Sequence, residues 1–291
     1  MAKSAFVAIA GRPSSGKSTL VNALCGEKVS IVSSVPQTTR NAVRGIVNRP
    51  EGQLVLLDTP GFHISDKRFN KRLTEVALDA FGGADILIYL VDSTRKPGPE
   101  EEALAAALAK AVSKIVAVVS KVDAKDSDQA VARAFIEGHF AGAPVVAISA
   151  LEKRGLEELL TLLFSRAPEG PAWYPEEYYT DQEPVFRIAE IIREKVILHT
   201  REELPHAVYV SYEDSRRLED GSLEASFDLV AERDSQKGIL IGKAGSMIRT
   251  IREEAEADLA AIFDYAVHLR LSVRVDPDWR KDEKRLKDLL F

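Results

Sequence analysis

The chain has little of several features that define other protein classes. It has one cysteine, Cys25, in 291 residues, which excludes an internal disulfide framework and favours a reducing compartment such as the cytoplasm. No apolar run approaches the roughly 20 residues that span a membrane, and a glycine follows the first apolar run too early for a signal peptide. The net charge of −6 provides no global positive field. Binding to a nucleic acid would therefore need a local surface.

The composition is that of a globular protein, and the first half has a regular pattern. Hydrophobic residues make up 45% and charged residues 29% of the chain, and the length is enough for two domains with separate cores. Apolar runs alternate with helical stretches, and the runs occupy 5–10, 53–58, 85–91, 114–120 and 144–149. Because they lack strict polar alternation, they predict strands buried on both faces of a mostly parallel sheet. Helices would cover both sides, and ligands would bind at the carboxyl ends of the strands.

The composition changes in a proline-rich stretch at 165–179. We interpret residues 1–167 as a first domain, 168–181 as a linker and 182–291 as a second domain. The second domain has helices and strands in the order α-β-β-α-α-β. The sequence thus predicts an α/β domain followed by a smaller α+β domain.

A phosphate-binding loop is predicted directly after the first strand. The stretch "GRPSSGKST" (11–19) matches G-x-x-x-x-G-K-[ST] and stands between a strand and a helix, which makes a chance glycine-rich turn a weak alternative. Its amides and the helix terminus would bind phosphate, Lys17 would contact the β- and γ-phosphates, and Ser18 would bind Mg²⁺. The predicted nucleotide-binding residues are Gly11, Ser14, Ser15, Gly16, Lys17, Ser18 and Thr19. This loop specifies a nucleoside triphosphate but not its base.

Two further segments are typical of a nucleotide switch. In "DTPG" (58–61), Asp58 would hold Mg²⁺ through a water, and the Gly61 amide would contact the γ-phosphate; a plain strand-end turn is the alternative. In the polar segment 35–46 we choose Thr39 as the residue that closes over Mg²⁺, with Thr38 as the fallback. A solvated loop is the alternative for this segment. Lys17, Thr39 and Gly61 are then the predicted catalytic residues.

The residue after Gly61 differs from the glutamine that orients water in Ras-like enzymes. It is Phe62, which can neither accept nor donate a hydrogen bond. His63 follows, but a lone histidine in a loop is more often plain surface. We therefore expect slow intrinsic hydrolysis with no side-chain general base.

A base-reading loop is predicted after the fourth run, where guanine-binding proteins have Asn-Lys-x-Asp. Here the stretch is Ser120-Lys121-Val122-Asp123. The two oxygens of Asp123 match the adjacent N1–H and 2-amino donors of guanine, which adenine lacks. Lys121 would cover the base, and "SAL" (Ser149, Ala150 and Leu151) would place the Ala150 amide near the guanine oxygen. We expect Ser120 to be too short to reach the base and tie neighbouring loops, so affinity would fall by up to about tenfold.

Together these motifs resemble the Era family of bacterial GTPases, over nearly the whole chain. The resemblance rests on "PQTTR" followed by "GI", "DTPGFH", "PEGPAWYPEEYYTD", "AEIIREKV", "GILIGKAGSMIRTI" and "DPDWRKD". It implies a P-loop GTPase domain, with a doubly wound, mostly parallel six-stranded sheet, followed by an α+β type II KH domain that binds RNA. It also implies GTP and GDP as ligands, Mg²⁺ as cofactor, and the 3′ end of small-subunit ribosomal RNA as partner.

The same resemblance implies a cytoplasmic protein that assists assembly of the small ribosomal subunit and contacts the inner membrane peripherally. We expect a monomer. The sequence departs from the family at Ser14 and Ser120, where the family has asparagine. Because the asparagine at the first position helps related GTPases bind an activating potassium ion, dependence on K⁺ stays open.

The second domain has its own candidate site in "IGKAGSMI". The loop Gly242-Lys243-Ala244-Gly245 between two helices can clamp the backbone of about four nucleotides, although a GxxG on its own is often a plain helix joint. The predicted RNA-binding residues are Lys237, Gly242, Lys243, Ala244, Gly245, Arg249 and Arg252. Acidic side chains outnumber basic ones in 181–291, so this surface must be local. The tail 276–291 would pack on the domain or touch a membrane.

Two other functions remain open. One is an RNA-binding assembly factor whose nucleotide site has decayed, which the two serine replacements would favour. The other is an ATPase on the same fold, which Asp123 opposes. Retention of Lys17, Ser18 and Asp58 favours a working GTPase.

Overall fold

The computed structural model describes residues 2–66, 68–280 and 282. They form two compact units, which divide after Asp181. In these ranges, no helix has the length and apolar character needed to cross a membrane.

The first unit is built on a six-stranded sheet. Its strands are β1 (Lys3–Ala10), β2 (Val43–Arg49), β3 (Gly52–Asp58), β4 (Ile86–Asp92), β5 (Ile115–Ser120) and β6 (Val145–Ala147). Their order across the sheet is β2-β3-β1-β4-β5-β6, with β2 and β3 antiparallel and the other four pairs parallel. Every residue of β4 and β5 is buried, as expected for apolar strands covered on both faces.

Within the described residues, four α-helices connect these strands and a fifth follows β6. They are α1 (Lys17–Cys25), α2 (Arg68–Gly83), α3 (Pro99–Leu108), α4 (Gln129–His139) and α5 (Leu156–Arg166), and a short 3₁₀ helix, Ala109–Lys114, follows α3. The alternation of buried strands and helices confirms the predicted architecture. Because the carboxyl ends of parallel strands meet at one edge, the loops after β1, β3, β4, β5 and β6 gather there.

Apolar periodicity did not reveal β2. Its sequence, VRGIVNR, mixes glycine and polar residues with three β-branched ones, as suits an edge strand that is partly exposed. The last four residues of the polar segment 35–46 already belong to β2. The loop proper ends before Val43, close to Thr39.

The segment predicted as a linker, 168–181, packs against the first unit. Gln53 is buried and holds it, accepting hydrogen bonds from Trp173 N (2.9 Å) and Tyr174 N (3.0 Å) and donating to Tyr174 O (2.9 Å). Further along, Ile46 N donates to Tyr179 O at 2.8 Å. The segment thus lies along the β2–β3 edge and is fixed by backbone hydrogen bonds, which a flexible spacer would lack.

The second unit has a three-stranded sheet covered by helices. Its elements are α6 (Pro184–His199), α7 (Leu204–Ala207), β7 (Tyr209–Arg217), β8 (Leu223–Ala231), α8 (Asp234–Ile241), α9 (Ser246–Ala260) and β9 (Val267–Val275). The strand β8 is central, antiparallel to β7 and parallel to β9. Apart from the short α7, this is the predicted α-β-β-α-α-β order.

The residues directly after β9 pack on the second unit. Trp279 is fully buried and its Nε1 donates to Ala207 O at 3.3 Å. The start of the predicted tail therefore packs on this unit. Residues 281 and 283–291 lie outside the described residues, and with them most of the segment predicted to contact a membrane.

Candidate functional site

The loop between β1 and α1 is wrapped around Lys17. The ammonium donates to the carbonyl oxygens of Gly11 (3.1 Å) and Arg12 (2.9 Å). Burial lowers the pKa of Lys17 to about 8, although the negative charges of Asp58 and Glu100 act to raise it. An anion bound in this loop would compensate for the lost hydration of the ammonium. The loop is therefore suited to bind phosphate.

Gly61 brings the loop after β3 into contact with the phosphate loop. A Cβ at this position would lie 2.7 Å from both Cα and N of Pro13, so a larger residue would push the two loops apart. The next amide, Phe62 N, donates to Gly11 O at 3.1 Å. The residues predicted to sense the γ-phosphate are thus held directly against the predicted phosphate site.

Ser18, Thr39 and Asp58 lie together, as a shared metal site requires. The Ser18 and Thr39 hydroxyl oxygens are 2.9 Å apart, and Thr39 Oγ1 lies 3.5 Å from Asp58 Oδ2. Asp58 is fully buried, and burial raises the pKa of its carboxyl, although the Ser18 hydroxyl and the Lys17 charge oppose the rise. Its Oδ1 has no hydrogen-bond partner in the described part of the chain. Two hydroxyls and a carboxylate form a hard oxygen set that suits Mg²⁺.

Thr38, the fallback for Thr39, points elsewhere. Its hydroxyl donates to Val35 O at 2.7 Å and lies 2.5 Å from Ser33 Oγ. The structure therefore brings Thr39, and not Thr38, to Ser18 and Asp58.

A cavity of about 260 Å³ opens over these groups. Seven residues predicted from the phosphate loop and the switch segments line it: Ser14, Gly16, Lys17, Ser18, Thr19, Thr39 and Gly61. Lys121, from the loop after β5, lines the same cavity. The phosphate loop, both switch segments and the base-reading loop thus converge on one space.

Ser120 joins two loops, contrary to the expectation that it is too short to do so. It is buried, and its hydroxyl lies 2.9 Å from the carbonyl oxygen of Ser15 and 3.2 Å from that of Val91. The phosphate loop approaches the end of β5 so closely that a serine spans the gap. Ser120 therefore ties the base-reading loop to the phosphate loop, which was expected of the asparagine alone.

Lys121 and Asp123 differ in their hydrogen bonding. Lys121 Nζ donates to Ser14 O (2.8 Å) and to Asp92 Oδ2 (2.7 Å), so it too ties the loops together. The Asp123 carboxylate is half-buried and has no hydrogen-bond or ion-pair partner among residues 2–66, 68–280 and 282. It is thus free to accept hydrogen bonds from a ligand.

The loop after β6 completes this edge of the sheet. Ser149 exchanges two backbone hydrogen bonds with Arg154, and its hydroxyl accepts from Glu152 N at 3.0 Å. These contacts fix the turn that holds Ala150, whose amide has no hydrogen-bond partner within the described ranges. Leu151 is 78% exposed.

Phe62 and His63 are both engaged in contacts within the first unit. Phe62 is buried in the core beside β1 and β4, and His63 Nδ1 pairs with Glu100 Oε1 at the start of α3. Neither contact places a side chain that could position the attacking water. The expectation of hydrolysis without a side-chain general base stays a prediction.

Arg12, Asp92 and Glu101 form a further charged cluster that the sequence motifs do not predict. Arg12 pairs with Glu101 (2.7 Å) and lies 3.9 Å from Asp92, and the three side chains are almost completely buried. The available signal was Asp92, which ends an otherwise apolar strand at the edge where ligands are expected. Arg12 lies far from both Asp92 and Glu101 in the sequence, so no local pattern reveals these ion pairs.

In the second unit, the GxxG loop joins α8 to α9 through a tight turn. Gly242 has a φ of 73°, and a Cβ there would lie 2.8 Å from Met247 N. Lys243 and Ala244 are exposed at its tip, and Gly245 follows in the left-handed region. The loop therefore presents backbone and one cation to the surface.

Three cations near this loop make no ion pair within the described residues, while most arginines elsewhere in the unit have partners. Lys237, Lys243 and Arg249 make no ion pair within the described part of the chain. By contrast, ion pairs with carboxylates engage Arg193, Lys195, Arg216, Arg270, Arg274 and Arg280. Arg252, the other predicted RNA contact, lies 3.4 Å from Glu253. An acidic unit thus keeps a local cationic surface.

One apolar side chain accompanies these cations. Ile239, on α8, is 53% exposed, while the neighbouring Leu240 is fully buried. Ile239 therefore offers an open apolar contact beside the loop. Bases of a bound single strand could pack there.

Comparisons with known proteins match both units. Residues 6–121 match the family model of a 50S ribosome-binding GTPase, and residues 203–280 match a KH domain. GTPase Era of Treponema denticola is 45% identical over 292 residues, covering 99% of each chain. GTPase Era of Borreliella burgdorferi is 40% identical over 289 residues, again covering 99% of each chain.

Two solved structures are similar over the full length. A crystal structure of an Aquifex aeolicus Era variant bound to GDP and AlF4⁻ is 32% identical with a TM-score of 0.93, covering 98% of each chain. Era in complex with MgGDPNP and nucleotides 1506–1542 of 16S ribosomal RNA is also 32% identical with a TM-score of 0.93. That match covers 99% of this chain and 98% of the other.

Proposed function

The chain belongs to the Era family of GTPases, and from that premise we propose that it is a GTP-hydrolysing switch that binds the 3′ end of small-subunit ribosomal RNA. One observation supports the GTP-binding part of this proposal. Lys17, Ser18, Thr39 and Lys121 line one cavity although they come from three separate loops. The Asp58 carboxylate lies beside Thr39, and the Asp123 carboxylate, two residues after Lys121, has no partner within the described residues. A decayed site would be expected to lose one of these groups.

Each group has an assigned role in nucleotide binding. Asp123 accepts from the N1–H and 2-amino group of guanine, and the Ala150 amide donates to the guanine oxygen. Lys17 supports the β- and γ-phosphates, together with the amides of the phosphate loop. Adenine would leave the Asp123 carboxylate without donors, which opposes the ATPase alternative.

The residues present fit Mg²⁺. We assign Ser18 and Thr39 as direct ligands and Asp58 as a ligand through water, because their oxygens are close and Asp58 Oδ1 is buried without a hydrogen bond in the described part of the chain. When bound, the ion would neutralise charge on the triphosphate. No K⁺ ligand is assigned, since Ser14 replaces the asparagine that related GTPases use.

Hydrolysis would convert GTP and water into GDP and phosphate. The Gly61 amide would hold the γ-phosphate, and Lys17 would stabilise charge on the transferred group. Phe62 is a core residue, so water must be positioned by backbone and cations. We therefore expect a slow intrinsic rate.

RNA binding is assigned to the second unit. The solved Era complex contains nucleotides 1506–1542 of 16S ribosomal RNA, and the same type of domain in this chain presents the exposed Lys243 on a GxxG loop. The unpaired cations Lys237 and Arg249 flank that loop. Backbone contacts from the loop and charge from these side chains would hold a single strand of about four nucleotides.

The remaining proposals rest on family membership. We propose a cytoplasmic monomer that assists assembly of the small ribosomal subunit, and a peripheral membrane contact as an accessory property. The rival function, an RNA-binding factor with a decayed nucleotide site, loses its main support because Ser120 performs the loop-tying role.

The test is to measure phosphate release from GTP and binding of a fluorescent RNA copy of the 3′ end by the same full-length protein. We expect slow Mg²⁺-dependent hydrolysis, and RNA affinity that differs between the GTP-analogue and GDP forms. Equal RNA affinity in both forms would reject the switch. RNA binding without any nucleotide binding would support the rival.

A further inference from the structure

Asp92, at the end of β4, is hydrogen-bonded to the base-reading loop. Its Oδ2 accepts from Lys121 Nζ at 2.7 Å, and its Oδ1 accepts from Thr94 N (3.0 Å) and Thr94 Oγ1 (2.7 Å). The carboxyl is fully buried. Burial by itself would raise the pKa of Asp92, but the hydrogen bonds from Lys121 and Thr94 outweigh it and hold the pKa below its usual range. The group is therefore an anion with both oxygens engaged.

Ser93, the next residue, contacts the two ends of the same loop. Its hydroxyl donates to Ser120 O at 2.7 Å, and its own carbonyl accepts from Asp128 N at 2.7 Å. The hydroxyl also lies 2.8 Å from Ser127 Oγ. Ser93 is buried. One serine thus sets the distance between the first residue of the loop and the helix α4 that follows it.

The loop needs this support because its backbone is strained. Lys121 has a φ of 60°, in the left-handed region that non-glycine residues rarely adopt. Asp123 stands two residues later, so the direction of its carboxylate depends on the conformation held at Lys121. The contact with Asp92 fixes the far end of the Lys121 side chain.

We propose that Asp92 and Ser93 are positioning residues for guanine recognition, acting through Lys121 and Ser120 to aim the Asp123 carboxylate. This proposal rests on the proposed function, in which Asp123 reads guanine. Neither residue needs to touch the nucleotide. In a chain with serine in place of the base-loop asparagine, the loop is held from the β4 side as well as from the phosphate loop.

The test compares GDP with inosine diphosphate, which keeps N1–H but lacks the 2-amino group. A correctly aimed carboxylate prefers GDP, and a misaligned one loses that preference. We expect Asp92→Asn and Ser93→Ala each to lower the GDP-to-IDP affinity ratio by about threefold or more, the worth of part of one charged hydrogen bond. Fluorescent nucleotide titration of the full chain gives both affinities. General loss of folded protein would scale both affinities alike and leave the ratio unchanged.

A double-mutant cycle separates positioning from a purely structural role. In a Lys121→Met background, Asp92→Asn should have little further effect on the ratio, because the contact it removes is already gone. Tyr89→Phe is the matched control. It lies on the same strand, is buried and loses one hydrogen bond, from its hydroxyl to Glu101 O, and it should lower the melting temperature while keeping the ratio.

The outcomes are distinguishable. If the wild-type protein shows no preference for GDP over IDP, the proposed function fails. If wild type prefers GDP but both Asp92→Asn and Ser93→Ala keep its ratio, the positioning role is overturned and the function stands. If Asp92→Asn does not fold, Ser93→Ala decides, since it removes a hydroxyl without changing charge.

Discussion

The hydroxyl of Ser120 lies 2.9 Å from the carbonyl oxygen of Ser15, and this hydrogen bond joins the base-reading loop to the phosphate loop. A second contact, with Val91 O at 3.2 Å, anchors the same hydroxyl to β4. The residue that seemed to weaken the site therefore holds its two halves together.

Ser120→Ala should weaken GDP binding by about three- to tenfold, because it removes the hydroxyl that donates to the buried carbonyl oxygen of Ser15. Titration with fluorescent GDP gives the affinity, and a melting curve shows whether the fold is kept. Ser120→Asn should leave guanine as the chosen base. An alanine variant that binds GDP as tightly as wild type would show that the bond to Ser15 is dispensable.

Thr39→Ala should reduce Mg²⁺-dependent GTP hydrolysis by about tenfold or more, because it removes one of the three oxygen groups of the proposed metal site. Thr38→Ala is the matched control, since its hydroxyl bonds Val35 and Ser33. Phosphate release at varied Mg²⁺ concentration measures both variants. Equal losses in the two variants would remove the assignment of Thr39.

Lys17→Met should abolish tight GTP binding and yet stabilise the nucleotide-free protein. The folded pKa of Lys17 is about 8 and its ordinary value 10.5, so the unfolded chain holds this proton more tightly. Burial of the charged Lys17 therefore lowers the free energy of unfolding of the wild-type protein. The full effect, about 3 kcal/mol, is present below pH 8, and it disappears as the pH rises towards 10.5. Denaturant melts at pH 7 and pH 10 should show the stability gap between variant and wild type narrowing. A constant gap would contradict the cause given for the shift.

Gln53→Leu should lower the free energy of unfolding of the first unit by about 2–4 kcal/mol, because several buried polar groups lose their partner. Gln53 bonds Trp173, Tyr174 and Asn48. Asn48→Ala, which loses exposed contacts with the same segment, should cost less. Urea melts give both values, and equal losses would mean that Gln53 has no special role in holding the segment 168–181.

Lys243→Ala should weaken binding of the ribosomal RNA 3′ end and reduce the slope of log affinity against log salt by roughly 0.7, as expected for one lost phosphate contact on a single strand. Arg216→Ala is the control, because Arg216 is paired with Glu224 on β8. GTP hydrolysis without RNA should be unchanged in both. An unaltered salt slope for Lys243→Ala would remove the GxxG loop from the RNA interface.

The structure also changes which variant best tests that loop. Gly242→Asp would block close approach of an RNA backbone to the loop. A side chain at Gly242 would however collide with Met247 N and Cβ, so this variant would alter the joint between α8 and α9. Lys243 lies at the exposed tip and can be changed without that collision.

Local patterns predicted the groups that we assign to nucleotide binding, and long-range contacts determine how those groups are held. The phosphate loop, Asp58 and Asp123 follow from short motifs at the ends of apolar strands. The sequence did not predict β2, because polar residues of this edge strand interrupt the apolar pattern. The segment 168–181 was predicted to be a linker because its hydrogen-bond partner Gln53 lies more than 100 residues away in the sequence. Ser120 was misjudged for the same reason, since its reach depends on Ser15, 105 positions earlier.

The most direct test of the central claim is titration of the purified full-length protein with fluorescent GDP and ADP in the presence of Mg²⁺. The free Asp123 carboxylate predicts clear GDP binding and at least about a hundredfold weaker ADP binding, since adenine offers it no matching donors. Asp123→Ala should bring the two affinities close together. Equal affinity of the wild-type protein for GDP and ADP, or binding of neither, would contradict the assignment of a guanine-reading switch.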